Sequence, residues 1–240
     1  MKSSTPGTCQ HTFLHWASMP KRTEQIRPYP TPATLGEAWT PEAKPGAYRA
    51  GCDFAREVLG VGRGSCLVIG SALFEAQELK DLGWEVTYLD LRDPGKQSFK
   101  VVVADARDMQ FADKSFDAVS TTCAITHIGT GRYGDRLDFD GGDEETLQQI
   151  ARVLKLGGVG ALSFGPCIKG DISIRLGLIH RAYAVSDVSR LLKPFEVEQI
   201  RIWSDVEMMW IAEPVSENPE SPDYISVKVH VAEKIDASQT

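Results

Sequence analysis

From Ala47 onward, short apolar runs alternate with segments whose apolar residues return every three or four positions. The runs are Ser65-Cys66-Leu67-Val68-Ile69, Glu85 to Leu89, Val101-Val102-Val103, Phe116 to Thr121 and Val159 to Phe164. Each has the length and apolar character of a strand covered on both faces. Ahead of the first run, Tyr48, Cys52, Ala55 and Leu59 form one helical stripe, stopped by Gly60 and Gly62. Ala72, Ala76, Leu79 and Leu82 form a second, with Ser71 as the expected N-cap and Gly83 as the stop. Asp143, Glu144 and Glu145 open a third, where acidic groups favour the positive end of the helix dipole. Its apolar face is Leu147, Ile150, Ala151 and Leu154, and Gly157-Gly158 breaks it. A short helix is expected after Ser186.

Strands that alternate with helices in this way pair in parallel, because each crossover lays a helix on a sheet face. Phe195 to Trp203 and Tyr224 to Ala232 come late, and the second alternates strongly through Ile225, Val227, Val229 and Val231. That pattern predicts antiparallel strands at a sheet edge. The expected fold is therefore α/β: a Rossmann-like, doubly wound, mostly parallel seven-stranded sheet with an antiparallel C-terminal edge strand. Residues 1–46 read differently. They hold Pro6, Pro20, Pro28, Pro30, Pro32, Pro41 and Pro45, seven of the 13 prolines, together with Phe13, Trp16, Tyr29 and Trp39. Proline blocks helix interiors, and large aromatics favour packing on a surface. We expect an N-terminal arm or lid at 1–46 and one domain at 47–240.

The formal net charge is −7, which disfavours general binding to nucleic acid, since phosphate neutralisation needs clustered Lys and Arg. No stretch approaches the roughly 20 apolar residues of a membrane span, and the start of the chain lacks the apolar core of a signal peptide. The five cysteines are scattered, with no C-x-x-C pair. Reduced thiols in a cytoplasmic protein are expected, with no metal site, no membrane partner and no nucleic-acid partner.

In open α/β sheets the ligand crevice lies at the carboxyl ends of the strands. The first strand ends at Gly70-Ser71. The second ends at Asp90, 20 residues after Gly70, followed by Leu91. A turn glycine with an acid at that distance is a nucleoside-binding arrangement: bare backbone approaches the ligand and the carboxylate accepts from ribose hydroxyls. Asp105-Ala106 after the third strand is placed for an adenine edge. Thr122-Cys123 and then His127 follow the fourth strand, at the reactive end. Each of these residues taken singly also reads as ordinary turn or capping chemistry; their order and spacing together carry the inference.

Here the sequence resembles class I S-adenosylmethionine-dependent methyltransferases over roughly residues 47–205. Leu67-Val68-Ile69-Gly70-Ser71 sits at that family's glycine motif and Leu89-Asp90 at its ribose acid. Ala104 to Phe111 looks like its adenine stretch, and Phe116-Asp117-Ala118-Val119 like its fourth strand. Arg152-Val153-Leu154-Lys155-Leu156-Gly157-Gly158 looks like its R-V-L-K-P-G-G turn. His127-Ile128-Gly129-Thr130-Gly131-Arg132-Tyr133-Gly134-Asp135 is similar to the H-x-G-x-G-R-Y-G-D signature of a methyltransferase-like group, which His180-Arg181-Ala182-Tyr183 also matches. Some members of that group accompany sugar or polysaccharide biosynthesis.

The resemblance implies an enzyme with S-adenosylmethionine as cofactor, held by Gly70, Ser71, Asp90, Leu91, Asp105, Ala106, Thr122 and Cys123. It implies methyl transfer to a small-molecule or glycan-related acceptor. His127, whose side chain titrates near neutrality, is the candidate base, with Tyr133 and Asp135 beside it. Arg132 offers a planar fork for a carboxylate or phosphate, and His180, Arg181 and Tyr183 are further candidate substrate contacts. The glycine motif is degenerate: Val68 stands where the family has an acid, and Ala72 and Phe74 where it has later glycines. A methyltransferase-like binding or assembly module without catalysis is the alternative. A Rossmann-type oxidoreductase is disfavoured by the lack of G-x-G-x-x-G. Oligomeric state is not readable.

Overall fold

The computed structural model describes residues 46–138, 141–168, 174–176, 180–204, 207, 209–211 and 223–231. The expected arm at 1–46 therefore lies, but for Gly46, outside the described residues. The elements run α1 (Ala47–Leu59), β1 (Ser65–Ile69), α2 (Leu73–Asp81), β2 (Glu85–Asp90), β3 (Lys100–Val103) and β4 (Phe116–Thr122). A 3-10 turn (Ile125–His127) and α3 (Gly142–Val153) follow, then β5 (Leu154–Ile168), β6 (Ile174–Leu176) and β7 (His180–Ala184). α4 (Val185–Leu191), β8 (Glu196–Ser204), β9 (Met209–Ile211) and β10 (Asp223–His230) complete the described chain.

The sheet order is β3-β2-β1-β4-β5-β10-β8-β9, with β7 pairing β5 and β6. β3, β2, β1, β4 and β5 are parallel neighbours. The order reverses between β1 and β4, which places a switch point there. Alternate residues of each strand face opposite layers. Cys66 and Val68 of β1 join Val86 and Tyr88 of β2 under Phe54, Ala55 and Leu59 of α1 and Ala76 and Leu79 of α2. Leu67, Ile69 and Leu89 face the other way, against Leu147, Ile150 and Val153 of α3 and Val188 and Leu191 of α4. The two apolar layers are why β1 reads as a continuous hydrophobic run.

The expected α/β, mostly parallel architecture is what the structure has, but with ten strands among the described residues rather than seven, since short β6, β7 and β9 add to the sheet, and with three local differences. The C-terminal strand is antiparallel, as its alternation predicted, but it lies inside the sheet between β5 and β8, and short β9 is the edge. β10 buries Ile225, Val227 and Val229 completely, which an edge position would not do. Second, Ser71 does not cap α2. Ala72 is the N-cap, while Ser71 Oγ donates to the Ile69 carbonyl and accepts from the Thr122 amide at 2.7 Å, tying the ends of β1 and β4. Third, Ser186 lies within α4, whose N-cap is Ala184.

Candidate active site

Gly70 takes φ +59, and a Cβ there would meet the Ala124 Cβ at 2.8 Å. The turn after β1 is thus closed to larger residues. Asp90 ends β2, is 7% exposed, and is fully engaged. The Arg92 guanidinium donates to both of its carboxylate oxygens at 3.0 Å, and the Arg92 amide donates to Oδ1 at 2.9 Å. The Tyr88 hydroxyl is shared between the Ser71 carbonyl at 2.5 Å and Asp90 Oδ2 at 3.1 Å. Leu91 is half-buried beside this pair.

The end of β3 repeats the arrangement. Arg107 grips Asp105 through Nε and Nη2, at 2.9 and 2.6 Å, and these hydrogen bonds hold the Asp105 carboxyl below the usual range. Ala106 between them is buried. At the end of β4, Thr122 is 1% exposed and its side chain faces Glu75 and Cys52. Cys123 follows at φ +57, a conformation that L side chains rarely adopt, and its amide donates to the Ser163 carbonyl at 3.0 Å. Backbone strain of this kind gathers at ligand sites. The candidate cofactor residues thus come together at the ends of adjacent strands.

The His127–Asp135 loop is held by three arginines from three directions. Arg92 stacks over the Tyr133 ring, 4.4 Å from its centroid. Arg107 donates to the Arg136 carbonyl at 2.7 Å. Arg181 donates to the carbonyls of Ile128 and of Asp138, the latter at 3.0 Å. Within the loop, Asp135 Oδ2 accepts from the Gly129 amide at 2.6 Å while its buried Oδ1 has no partner. His127 ends the 3-10 turn half-buried, edge-on to Tyr133 at 5.5 Å, with Nδ1 3.5 Å from Arg132 Nη1. Burial raises the Tyr133 phenol, which therefore stays protonated as a donor.

Arg181 and Tyr183, expected as substrate contacts, are 4% and 1% exposed. The Tyr183 hydroxyl donates to Asp143 Oδ2 at 3.0 Å, and Arg181 pairs with the same oxygen at 3.6 Å. Both are buried and bonded to this chain's own groups. His180 begins β7, and its side chain lies outside the described residues.

Sequence reasoning passed over Arg92, Arg107, Asp143 and Glu75. The first two had a signal: each strand-end acid is followed two residues later by arginine. Glu75 had one as well, since it stands on the inward stripe of α2 with Ala72, Ala76 and Leu79.

No group of three metal-ligating side chains stands among the described residues, and no described helix is long and apolar enough to cross a membrane. A nucleoside-type cofactor fits the strand ends on two grounds: Gly70, without a side chain, at the switch point, and the buried Arg92 Nη1, which has no hydrogen-bond partner.

Residues 67–162 match the family described as a methyltransferase domain. No curated protein is similar to the chain in sequence. Among solved structures, the chain is similar to the Burkholderia thailandensis 1,6-didemethyltoxoflavin-N1-methyltransferase with bound 1,6-didemethyltoxoflavin and S-adenosylhomocysteine. The TM-score is 0.59 at 13% identity, over 84% of this chain and 85% of that one. It is similar to the N-methyltransferase NodS of Bradyrhizobium japonicum, in complex with S-adenosylhomocysteine, at TM-score 0.56 and 13% identity, over 84% and 98%. It is also similar to the [4+2]-cyclase SpnF, at TM-score 0.57 and 12% identity, over 77% and 80%. Residues 67–162 are therefore similar to a methyltransferase domain, carried on the Rossmann-like fold that S-adenosylmethionine-dependent methyltransferases share.

Proposed function

We propose that this protein is an enzyme that transfers a methyl group from S-adenosylmethionine to a small-molecule or glycan-related acceptor. The observation that carries the reading is the convergence of Gly70, Asp90, Asp105 and Thr122-Cys123 at the ends of β1, β2, β3 and β4, within a region that matches a methyltransferase domain. Gly70 and Ser71 would lie along the cofactor, Asp90 with Leu91 would take the ribose hydroxyls, and Asp105 with Ala106 would meet the adenine edge. Bound there, S-adenosylmethionine supplies a sulfonium methyl, open to in-line attack.

The protein's own work is to align the acceptor and manage its proton. His127 stands after β4, half-buried, with its ring fixed against Tyr133. A guanidinium only donates, so the Arg132 contact makes Nδ1 an acceptor and leaves the neutral ring's proton on Nε2. In this reading Arg132 turns out to an acidic group of the acceptor, Nδ1 takes the acceptor's proton, and Tyr133 donates a hydrogen bond. Asp135 keeps the loop's shape through the Gly129 amide. His180 remains a candidate acceptor contact, and Arg181 and Tyr183 act by holding the loop.

The test is methyl transfer from radiolabelled S-adenosylmethionine to a panel of hydroxyl, amine and sugar acceptors. We expect turnover on at least one. His127→Ala should lower kcat about 10²- to 10⁴-fold with S-adenosylhomocysteine affinity kept within about twofold. Equal loss of both would place His127 in cofactor binding instead. Deleting residues 1–46 should reduce acceptor turnover and spare cofactor affinity, the outcome expected of an arm that shapes the acceptor site. The non-catalytic reading is favoured by one observation, that Arg92 already occupies both oxygens of Asp90. Binding of S-adenosylhomocysteine without turnover on any acceptor would support it.

A further inference from the structure

The family's glycine motif has an acid where this chain has Val68, and Val68 is fully buried among apolar neighbours. Yet a carboxylate is present at the same place on the sheet. Glu75, in the first turn of α2, is 0% exposed. Its Oε1 accepts from Ser120 Oγ at 2.5 Å, and its Oε2 lies 3.5 Å from Cys52 Sγ. Ser120 is the Cα partner of Val68 in the parallel β1–β4 ladder, so the two share one face. The helix therefore delivers from above a carboxylate that the strand no longer supplies.

The surroundings of Glu75 are neutral. Ser120, Cys52, Ser71 and Thr122 flank it, and no Lys, Arg or His makes an ion pair with it among the described residues. Burial pushes its carboxyl up from the ordinary range. A buried carboxylate without a cation is costly, and a ligand cation would relieve that cost. The Thr122 and Ser71 side chains, at the ends of β4 and β1, face Glu75 on the same side. Tyr48 adjoins both Glu75 and Cys123, and its hydroxyl takes the Ala72 amide at the start of α2. Tyr48 is thus a neighbour of both Glu75 and the Cys123 end of β4.

The amino-acid end of S-adenosylmethionine carries an α-ammonium. We propose that Glu75 is the residue that binds this ammonium, reached when Tyr48 turns aside, and so replaces the acid missing at Val68. The proposal rests on the cofactor reading above and names the residue that anchors the cofactor's amino-acid end.

Calorimetry with three probes tests it: S-adenosylhomocysteine, its desamino analogue, and 5′-methylthioadenosine, which lacks the amino-acid end. Wild type should bind S-adenosylhomocysteine at least about tenfold more tightly than the desamino analogue. Glu75→Gln should weaken S-adenosylhomocysteine at least about tenfold and leave 5′-methylthioadenosine within about twofold. Glu75→Asp, which keeps the charge, should fall between. Equal affinity of wild type for S-adenosylhomocysteine and the desamino analogue overturns the proposal, whether or not the variants fold. So does a Glu75→Gln variant, folded by circular dichroism, that weakens all three probes alike or none. If folded wild type binds 5′-methylthioadenosine but gains nothing from the amino-acid end, the cofactor-site reading survives and Glu75 loses its role. If it binds none of the three, both fall.

Discussion

Arg181, a candidate substrate contact, also holds the chain's own loop in shape. Its guanidinium holds the carbonyls of Ile128 and Asp138, and its backbone exchanges hydrogen bonds with Thr126 Oγ1. Arg181→Ala leaves those carbonyls and Asp143 short of a buried partner. We expect a loss of about 3 kcal/mol in urea unfolding. Faster amide exchange at Gly129 and Gly142 should accompany it, since both belong to the loop closure. Unchanged exchange there would mean that the loop holds its shape without Arg181. Glu75 has a different signature. Its native carboxyl titrates above the unfolded one, so the native state keeps a proton that the unfolded chain has released. Its contribution to stability is full below the ordinary glutamate range and declines as pH rises through the raised value. Glu75→Gln removes that decline. The variant should gain on the parent as pH rises above the ordinary glutamate range without ligand, as read by denaturant midpoints. A constant difference as pH rises would count against a raised carboxyl.

At the scale of elements, Asp117 joins three strand starts. Its Oδ2 accepts from the Ser65 amide and hydroxyl, each at 2.9 Å, and its Oδ1 accepts from Lys155 Nζ at 2.7 Å. Those bonds lower its carboxyl to about 2, the Lys155 contact most of all. The contribution is present above the unfolded value and is lost as pH falls through about 2. The stability gap between wild type and Asp117→Asn should therefore shrink as pH drops from about 5 toward 2. A gap independent of pH would assign the effect to packing. Elements whose signal is local were readable in the sequence: β1, β2 and β4 from apolar runs, α3 from its acidic first turn and apolar stripe. What was not readable depends on distant partners. The place of β10 inside the sheet is set by pairing with β5 and β8, which no local pattern encodes. Ser71 met every local criterion for a cap, and the Thr122 amide, 51 residues away, claimed its hydroxyl.

At the scale of the whole molecule, the order of strands brings the candidate site residues to neighbouring strand ends. Gly70, Asp90, Asp105 and Cys123 were visible because backbone order alone decides where strand ends lie. Arg92 and Arg107 were not, because the direction of a long side chain depends on the loop it meets. Glu75 escaped because an acid in a helix reads as solvated until the stripe it stands on is traced inward. The account turns on whether these strand ends hold S-adenosylmethionine, and Asp90 is the residue whose engagement by Arg92 most directly competes with a ribose. The decisive measurement is a calorimetric titration of the folded full-length chain with S-adenosylhomocysteine, run beside Asp90→Asn. The account predicts micromolar binding by the wild type and at least about a tenfold loss in the variant, as expected when a charged acceptor of ribose hydroxyls is neutralised. No binding by the wild type, or equal affinity in the two proteins, would contradict it.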